Sequence, residues 1–398
     1  MLKIVIHDYA GHPFPLTLSK QLSLNNQVYH LYFGNDYGPK ADFDMSTSKN
    51  LSTESIGDNI KYSKSNFITR FFKDFKYGAL VAKRIEEIKP NIVISGQCPT
   101  FAQQSILNSS KKNNSKFIIW IQDFYSIAAH YILMRKFWHL AFIISFLFKY
   151  FEKKQVKLAD HLIIISREFL TQLKNWKVNT NNISYIPNWG NLEQISKETV
   201  KDNEFLNLNN LDPKKFRLVY SGTLALKHNP ELIVKIAKLN LNIEILIVGI
   251  GSGFQKLKNN KNLPSNIKLL SLQPFDKLNA VLNSADIFLA MLNEDAGKFS
   301  VPSKILNYLC AGKPIILSAP SDNLASQMII ESKAGKVFSP NNFNSLNDFI
   351  QILKNDEELR LKMSNLGRVY AEQNFDIKNI VRKFENIFNN ILIEGNKK

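Results

Sequence analysis

Cysteine is scarce in this sequence, with Cys98 and Cys310 as the two examples in 398 residues. Two thiols so far apart do not make the dense cross-linked framework of small secreted domains, and we interpret them as buried free thiols. The N-terminus has a strand-like pattern rather than a signal-peptide pattern. The longest apolar run, 140–148, falls well short of the roughly 20 residues that a membrane-crossing helix needs. These absences argue against a disulfide-rich secreted protein and against a membrane-spanning one.

Acidic residues are also few, with 34 Asp and Glu against 51 Lys and Arg, a formal net charge of +17. Such a balance favours anionic partners, for example phosphorylated molecules or an anionic membrane surface. No RNA- or DNA-binding signature accompanies the charge, so nucleic acid is not an expected partner. Asp42 and Asp44 resemble a metal-binding carboxylate pair, but no further ligand cluster lies near them in sequence, and no metal site is predicted.

The length of the chain exceeds the size at which a single hydrophobic core stops growing, so two domains are expected. In both halves, short β-branched runs alternate with longer amphipathic segments, which predicts parallel sheets covered by helices. The predicted strands of the first half are 2–6, 28–33, 91–95, 117–121, 161–165 and 183–186. Those of the second half are 216–220, 243–248, 267–270, 286–291 and 314–318.

The polar stretch 188–215, with its Asp212-Pro213 turn signal, predicts a linker between the domains. Residues 1–187 and residues 216–375 are then predicted to be two Rossmann-like domains. Residues 376–398 carry a helical apolar stripe and are predicted to cross back onto the first domain. The predicted fold class is α/β, with two Rossmann-like domains facing each other across a cleft.

Two segments of the second half have the pattern of an anion site. After the strand that ends at Tyr220 come Gly222 and Lys227, and then a helix with Asn229 as the predicted N-cap and Pro230 at its first position. Free amides and the helix dipole at such an end attract anions. The alternative is an ordinary capped helix with a solvated lysine.

The segment Pro302-Ser303-Lys304 begins a second predicted helix. Its first-turn amides and the Ser303 hydroxyl could bind phosphate oxygens, with Lys304 neutralising their charge. A lysine in the first turn opposes the helix dipole, and a bound anion would reverse that penalty. The alternative is a solvated lysine beside a serine cap.

In the first half, polar residues follow two predicted strands. Gly11 and His12 lie after the first strand, where ligands of parallel sheets bind, although an ordinary turn would look the same. Gln122 and Asp123 close the strand 117–121, and the Asp123 carboxylate could orient or deprotonate an incoming hydroxyl. It could equally cap the next helix.

The segment 131–154 combines aromatic and basic side chains in the manner of a helix that lies in a membrane interface. The residues predicted to associate with the membrane are Arg135, Lys136, Phe137, Trp138, Phe142, Phe146 and Lys149. A core helix or a protein-binding surface is the alternative. With no spanning segment predicted, we expect a cytoplasmic protein that is peripheral at the inner face of the cell membrane.

Six segments, taken in order, resemble those of family 4 retaining glycosyltransferases with the GT-B fold, and most of all the bacterial enzymes of O-antigen, capsule and colanic acid-type polysaccharide synthesis. The segments are 7–14 (HDYAGHPF), 120–123 (WIQD), 186–189 (IPNW), 220–223 (YSGT), 301–304 (VPSK) and 312–314 (GKP). The resemblance implies that the second domain, 216–375, binds a nucleotide-sugar donor as substrate, with UDP favoured. It also implies that the first domain, 1–187, binds a lipid-linked or saccharide acceptor. It also implies that neither a cofactor nor a metal is needed.

The resemblance also implies roles for individual residues. Donor-binding roles fall on Gly11, Gly222, Thr223, Lys227, Gln273, Phe275, Ser303, Lys304 and Asn307, and catalytic roles on Asp123, Gln122, His12 and Lys304. Two positions that carry glutamate in typical members are here Phe299 and Asn307, and Thr223 replaces an arginine. Lys227, helped by His228, would then neutralise the diphosphate from that side.

Two other functions remain open on the sequence alone. A UDP-sugar 2-epimerase of the same fold would need acid and base groups around the sugar. A non-catalytic carbohydrate-binding relative would fit the loss of both glutamates.

Overall fold

The computed structural model describes residues 1–34, 49–60, 67–96, 98–127, 138–197, 203–294 and 304–395. It divides into unit 1, formed by Met1–Asn188 and Ile377–Lys398, and unit 2, formed by Trp189–Asp376. The described residues of each unit form one all-parallel sheet, with helices between most of the successive strands. The predicted α/β class with two Rossmann-like domains is therefore confirmed.

Unit 1 contains a seven-stranded sheet in the order β3-β2-β1-β4-β5-β6-β7. Its strands are β1 Lys3–Asp8, β2 Gln27–Phe33, β3 Leu51–Ile56, β4 Ile92–Ser95, β5 Lys116–Ile121, β6 His161–Ile164 and β7 Ile183–Tyr185. Its helices before the second unit are α1 Pro13–Leu22, α2 Phe67–Ile88, α3 Thr100–Lys112, α4 Trp138–Leu158 and α5 Phe169–Asn175. The central strands are apolar and buried on both faces because helices cover the sheet from both sides.

Unit 2 contains a six-stranded sheet in the order β10-β9-β8-β11-β12-β13. Its strands are β8 Arg217–Thr223, β9 Glu244–Ile250, β10 Ile267–Ser271, β11 Ile287–Met291, β12 Ile315–Ser318 and β13 Gly335–Phe338. Its helices are α6 Asn203–Leu208, α7 Pro230–Leu239, α8 Ser252–Lys258, α9 Leu278–Asn283, α10 Lys304–Ala311, α11 Leu324–Ser332, α12 Phe343–Asn355 and α13 Glu357–Asn374.

The last helix, α14 Ile377–Gly395, belongs to unit 1 although it follows unit 2 in the chain. Its apolar stripe is buried and packs against α1. The Phe384 ring meets the Trp120 ring edge-on, with centroids 5.3 Å apart. Burial of this stripe holds the end of the chain on the sheet of unit 1.

Most of the segment 188–215, which the sequence predicts as a linker, lies inside unit 2. It contains α6, and the side chains of Trp189, Ile195 and Leu206 are buried. Polar residues dominate the segment, so its few apolar residues give no recognisable sequence pattern. These apolar residues are nevertheless buried, and the segment is part of unit 2.

Candidate functional site

The candidate site of unit 2 lies at the carboxyl edge of its sheet. Because all the strands are parallel, the loops that follow β8, β9 and β10 emerge at the same edge. Thr223 pairs with Ile250 at the ends of β8 and β9, and Ser271 of β10 pairs with Gly249. Ligands of parallel α/β sheets bind at this edge.

Two glycines allow the backbone to close up at this edge. Gly222 has a φ of +108° and Gly251 a φ of +118°, which other residues rarely adopt. A Cβ on Gly251 would lie 2.7 Å from the carbonyl oxygen of Leu224, so no larger residue fits without a shift. The loop after β9 is therefore pressed against the loop after β8.

Lys304, the first described residue of α10, lies against Gly222. Its Nζ donates a hydrogen bond to the Tyr220 hydroxyl at 3.0 Å and lies 4.4 Å from the centre of the Tyr220 ring. A Cβ on Gly222 would be 3.8 Å from Lys304 Cε, an ordinary contact distance. Burial and, to a smaller extent, the positive charge of Lys227 lower the pKa of Lys304 to about 7. The structure thus brings together three residues that the sequence assigns to one anion site.

His228 does not add positive charge to this group. The Ala225 N–H donates to His228 Nδ1 at 3.1 Å, so that nitrogen carries no proton. Burial lowers the pKa of His228 to about 3, with Lys304 and Lys227 acting in the same direction. The suggested help from His228 is therefore wrong for the ligand-free protein, and the lysines supply the charge.

Tyr308 fixes helix α10 to the strand that carries Gly222. Its hydroxyl accepts a hydrogen bond from the Ser221 N–H at 2.8 Å. Its ring stacks on Phe288, with centroids 3.9 Å apart and an interplanar angle of 5°. Sequence reasoning missed Tyr308 because its partner, the backbone N–H of Ser221, lies 87 residues away in the chain. No sequence pattern indicates which side chain a distant backbone amide will bind.

The other predicted donor-binding residues occupy several surroundings. Thr223 and Lys227 are exposed, whereas Gln273 and Phe275 are partly buried after β10. The Gln273 amide donates to the Ser271 carbonyl at 2.9 Å. Asn307 Oδ1 accepts from the Asn191 N–H at a long 3.4 Å.

Ser303 lies outside the described residues, as does Phe299. Asn229 occupies the N-cap position of α7, as predicted, but it has a left-handed backbone with φ of 52° and its side chain makes no capping hydrogen bond. Pro230 does occupy the first position of α7, as predicted.

In unit 1, the loop after β1 is held by Asp8. The Gly11 N–H donates to the Asp8 carbonyl at 3.1 Å, and Gly11 has a φ of +70°. The His12 N–H donates to the Asp8 carboxylate, and His12 Nδ1 lies 3.3 Å from Asp8 Oδ1. Burial raises the pKa of Asp8, but the charge of His12 and its hydrogen bonds outweigh burial, so the pKa lies below its ordinary value. Asp8 thus fixes His12, a predicted catalytic residue.

Gln122 and Asp123 follow β5 at the same edge of the unit 1 sheet as Gly11. The side-chain amides of Gln122 and Asn188 exchange two hydrogen bonds, of 2.6 and 3.3 Å. Asp123 Oδ1 accepts from the Phe124 N–H at 2.7 Å. Both side chains are partly buried, and both line a small cavity of about 40 Å³.

Beneath this edge lies a buried hydrogen-bond chain that sequence reasoning missed. The Ser95 hydroxyl donates to Gln103 Oε1 at 2.8 Å, so it accepts from His7 Nδ1, which lies 3.0 Å away. Tyr77 then donates to His7 Nε2 at 2.8 Å. Burial lowers the pKa of His7 to about 4, which keeps the ring neutral. Its partners lie on other elements of the unit, so the lone histidine in an apolar strand was the one available signal.

The predicted membrane-associating residues are only partly described. Arg135, Lys136 and Phe137 lie outside the described residues. Trp138 is the first residue of α4, but the described part of the structure does not include its side chain. Phe142 is 73% exposed and Phe146 62% exposed on α4, and Lys149 is exposed beside them. Within the described ranges, no helix has the length and apolar character needed to cross a membrane.

Asp42 and Asp44 also lie outside the described residues. Within the part of the chain that is described, no group of three or more His, Cys, Asp or Glu side chains could hold a metal ion.

Comparison with known proteins finds relatives for most of unit 2. Residues 201–370 match the family model described as glycosyl transferases group 1. Over 245 residues the chain is 27% identical to WcaI of Escherichia coli K12, a glycosyl transferase named for colanic acid biosynthesis. That match covers 59% of this chain and 58% of WcaI, which is less than two thirds of the relative's length.

Solved structures match over nearly the whole chain. Sucrose-phosphate synthase from Thermosynechococcus elongatus has a TM-score of 0.76 and 14% identity, covering 99% of this chain and all of the other. Anabaena HepE, solved in complex with UDP-glucose, has a TM-score of 0.71 and 12% identity, covering 98% of this chain and all of the other. The chain therefore has the GT-B fold, and its residues 201–370 are similar to the glycosyl transferases group 1.

Proposed function

We propose that the protein is a retaining glycosyltransferase. It moves a sugar from a nucleotide-diphosphate donor, with UDP as the favoured nucleotide, to a lipid-linked or saccharide acceptor in bacterial surface polysaccharide synthesis. The observation that carries the proposal is Lys304, whose ammonium group contacts Tyr220 and whose stem passes beside Gly222 at the carboxyl edge of the unit 2 sheet. The naming of WcaI for colanic acid biosynthesis and the UDP-glucose complex of HepE support the pathway and the donor class.

The charge distribution of the site suits a diphosphate leaving group. Lys304 is partly buried and Lys227 is near enough to lower its pKa, so two ammonium groups repel each other in the ligand-free protein. An anion between them removes that repulsion and gains charge-assisted hydrogen bonds. In this mechanism the acceptor hydroxyl attacks on the face that the diphosphate leaves, and the lysines stabilise the departing charge.

The acceptor side of the reaction falls to unit 1. His12, held by Asp8, and Asp123, held by the Phe124 amide, are the proposed catalytic residues there, with Gln122 beside them. Asp123 would orient the acceptor hydroxyl, and no pair of carboxylates at glycosidase spacing is needed for this chemistry. Asn307 can donate to a ribose hydroxyl but adds no charge.

The donor proposal is tested by ligand binding and turnover. Lys304→Met and Lys227→Met are expected to weaken binding of UDP by about tenfold or more each, because each loses a charge-assisted contact worth about 1.5–3 kcal/mol. Lys261→Met, an exposed lysine in a loop of the same unit, is the matched control. Thermal shift with UDP, GDP and ADP measures nucleotide binding, and the release of UDP from UDP-sugars measures turnover. Unchanged binding in both lysine variants would contradict the proposal.

Membrane association is proposed for α4, because Phe142 and Phe146 are exposed beside Lys149. Phe72, 67% exposed on α2, adds another aromatic side chain to the surface of the same unit. Such side chains bind an anionic interface through apolar insertion and charge.

Flotation with vesicles that contain phosphatidylglycerol is expected to carry the wild type upward and to leave the double variant Phe142→Ser/Phe146→Ser at the bottom of the gradient. Leu208→Ser, an exposed apolar residue of unit 2, serves as the control. Wild-type protein that stays at the bottom of the gradient contradicts the membrane proposal.

A further inference from the structure

Glu152 on α4 binds the backbone directly after Asp123. Its Oε1 accepts the Tyr125 N–H at 2.7 Å, and its Oε2 accepts the Ser126 N–H at 3.1 Å. The Ser126 hydroxyl also donates to Oε2, at 2.5 Å. One carboxylate therefore ties two consecutive amides and a hydroxyl to a helix that lies 26 residues further along the chain.

Glu152 and Asp123 face the same cavity of about 40 Å³. A cavity of that size has room for about two or three water molecules, and its lining includes the polar residues Thr100, Gln103 and Gln155. The Thr100 hydroxyl is buried, with 2% of the residue exposed, and has no hydrogen-bond partner among the described residues. Water in this cavity would give that hydroxyl a partner and would hydrate the side of the carboxylate that faces away from the amides.

The groups around Glu152 set its charge. Asp123 and Tyr125 face the cavity from the segment after β5, and Cys98 faces it from the loop before α3. The net pKa of Glu152 is raised to about 7. Burial raises the pKa most, the hydrogen bonds from Ser126 and Tyr125 lower it, and the negative charge of Asp123 raises it. Protonation would turn Oε2 into a donor to the Ser126 hydroxyl and remove the negative charge that strengthens both amide bonds.

We propose that Glu152 is a positioning residue that, in its ionised form, fixes the segment carrying Asp123 and thereby the acceptor side of unit 1. The hydrogen bonds and the cavity carry this inference. It rests on the proposed function only for what the fixed segment does in catalysis. Glu152 acts through Asp123 and the backbone of Tyr125 and Ser126.

Amide hydrogen exchange of Tyr125 and Ser126 tests the proposal on the full chain without any ligand. In the wild type, protection corrected for intrinsic exchange is expected to rise about tenfold between about pH 6 and 8, as neutral hydrogen bonds become charge-assisted. In Glu152→Gln, which is nearly the same shape, protection is expected to be lower at pH 8 and independent of pH. Glu87→Gln, an exposed acid of α2 that pairs with Arg84, is the control and should behave as the wild type does.

Two results would overturn the proposal. One is wild-type protection that does not change with pH, a measurement that needs no variant and so does not depend on whether Glu152→Gln folds. The other is a pH dependence that persists in Glu152→Gln. A fault in the proposed function shows separately: if the exchange results are as expected but the wild type neither binds UDP nor releases it from any UDP-sugar, the positioning role stands and the glycosyltransferase proposal fails.

Discussion

The affinity for a nucleotide-sugar should fall as the pH rises through the titration of Lys304. In the ligand-free protein, burial and the charge of Lys227 lower the pKa of Lys304 to about 7. A bound diphosphate stabilises the ammonium form and raises the pKa again. Binding then takes up a proton at any pH between the two pKa values, so higher pH opposes binding.

The size of the effect follows from the free pKa. If only the ammonium form binds, the protonated fraction falls from about 76% at pH 6.5 to about 3% at pH 8.5. The dissociation constant of UDP-glucose should therefore increase about 25-fold over this range, or about 1.9 kcal/mol. His228, with a pKa of about 3, stays neutral throughout and does not contribute.

Isothermal titration calorimetry with UDP-glucose, whose phosphates do not titrate over this range, measures both the affinity and the protons taken up. Lys304→Arg keeps its charge at all these pH values, so its affinity should be nearly independent of pH. Lys261→Ala should keep the wild-type slope. The reasoning is refuted if the wild-type affinity does not change with pH, or if Lys304→Arg retains the same slope.

Two stability predictions test the packing that places the sites. Tyr308→Phe leaves the buried Ser221 N–H without its acceptor and should lower the free energy of unfolding of unit 2 by about 1–3 kcal/mol, measured by urea denaturation against the exposed Tyr150→Phe. Phe384→Ala opens a cavity beside Trp120 and should lower the free energy of unfolding of unit 1 by about 3–5 kcal/mol. Ile393→Ala, at an exposed position of the same helix, should lower it only slightly. Equal losses in the two variants would contradict the packing of α14.

The central strands of both sheets were predictable because burial on both faces makes them short, nearly continuous apolar runs. The two strands that the sequence did not reveal, β3 and β13, lie at the edges of their sheets. Their sequences, LSTESI and GKVF, are largely polar or very short, because an edge strand is only partly covered. An apolar sequence pattern indicates a buried strand, and most residues of these two strands are only partly buried.

The site was predictable where a local pattern carries the chemistry. Gly222 and Lys304 were selected from a glycine after a strand and a lysine at a helix start, and the structure places them side by side. Tyr308, Glu152 and the His7 chain were not predictable, because each acts through partners distant in sequence. Asn229 illustrates the limit of such patterns: it occupies the N-cap position of α7, but the 3₁₀ turn Leu226–His228 before α7 leaves it left-handed, which a capping pattern does not foresee.

The neutral side chains of Asn307 and Thr223 have one physical consequence for Lys304. Asn307 lies three residues after Lys304 on α10, a spacing at which side chains of a helix are neighbours. A carboxylate at that position would attract the ammonium group and raise its pKa, whereas the neutral amide does not. Because Thr223 is also neutral, the positive charge of the site comes from Lys227 and Lys304 alone among the residues assigned to the diphosphate. Under the proposed function, Lys304 would therefore acquire its full charge most readily when the donor is bound, and donor binding would be coupled to proton uptake.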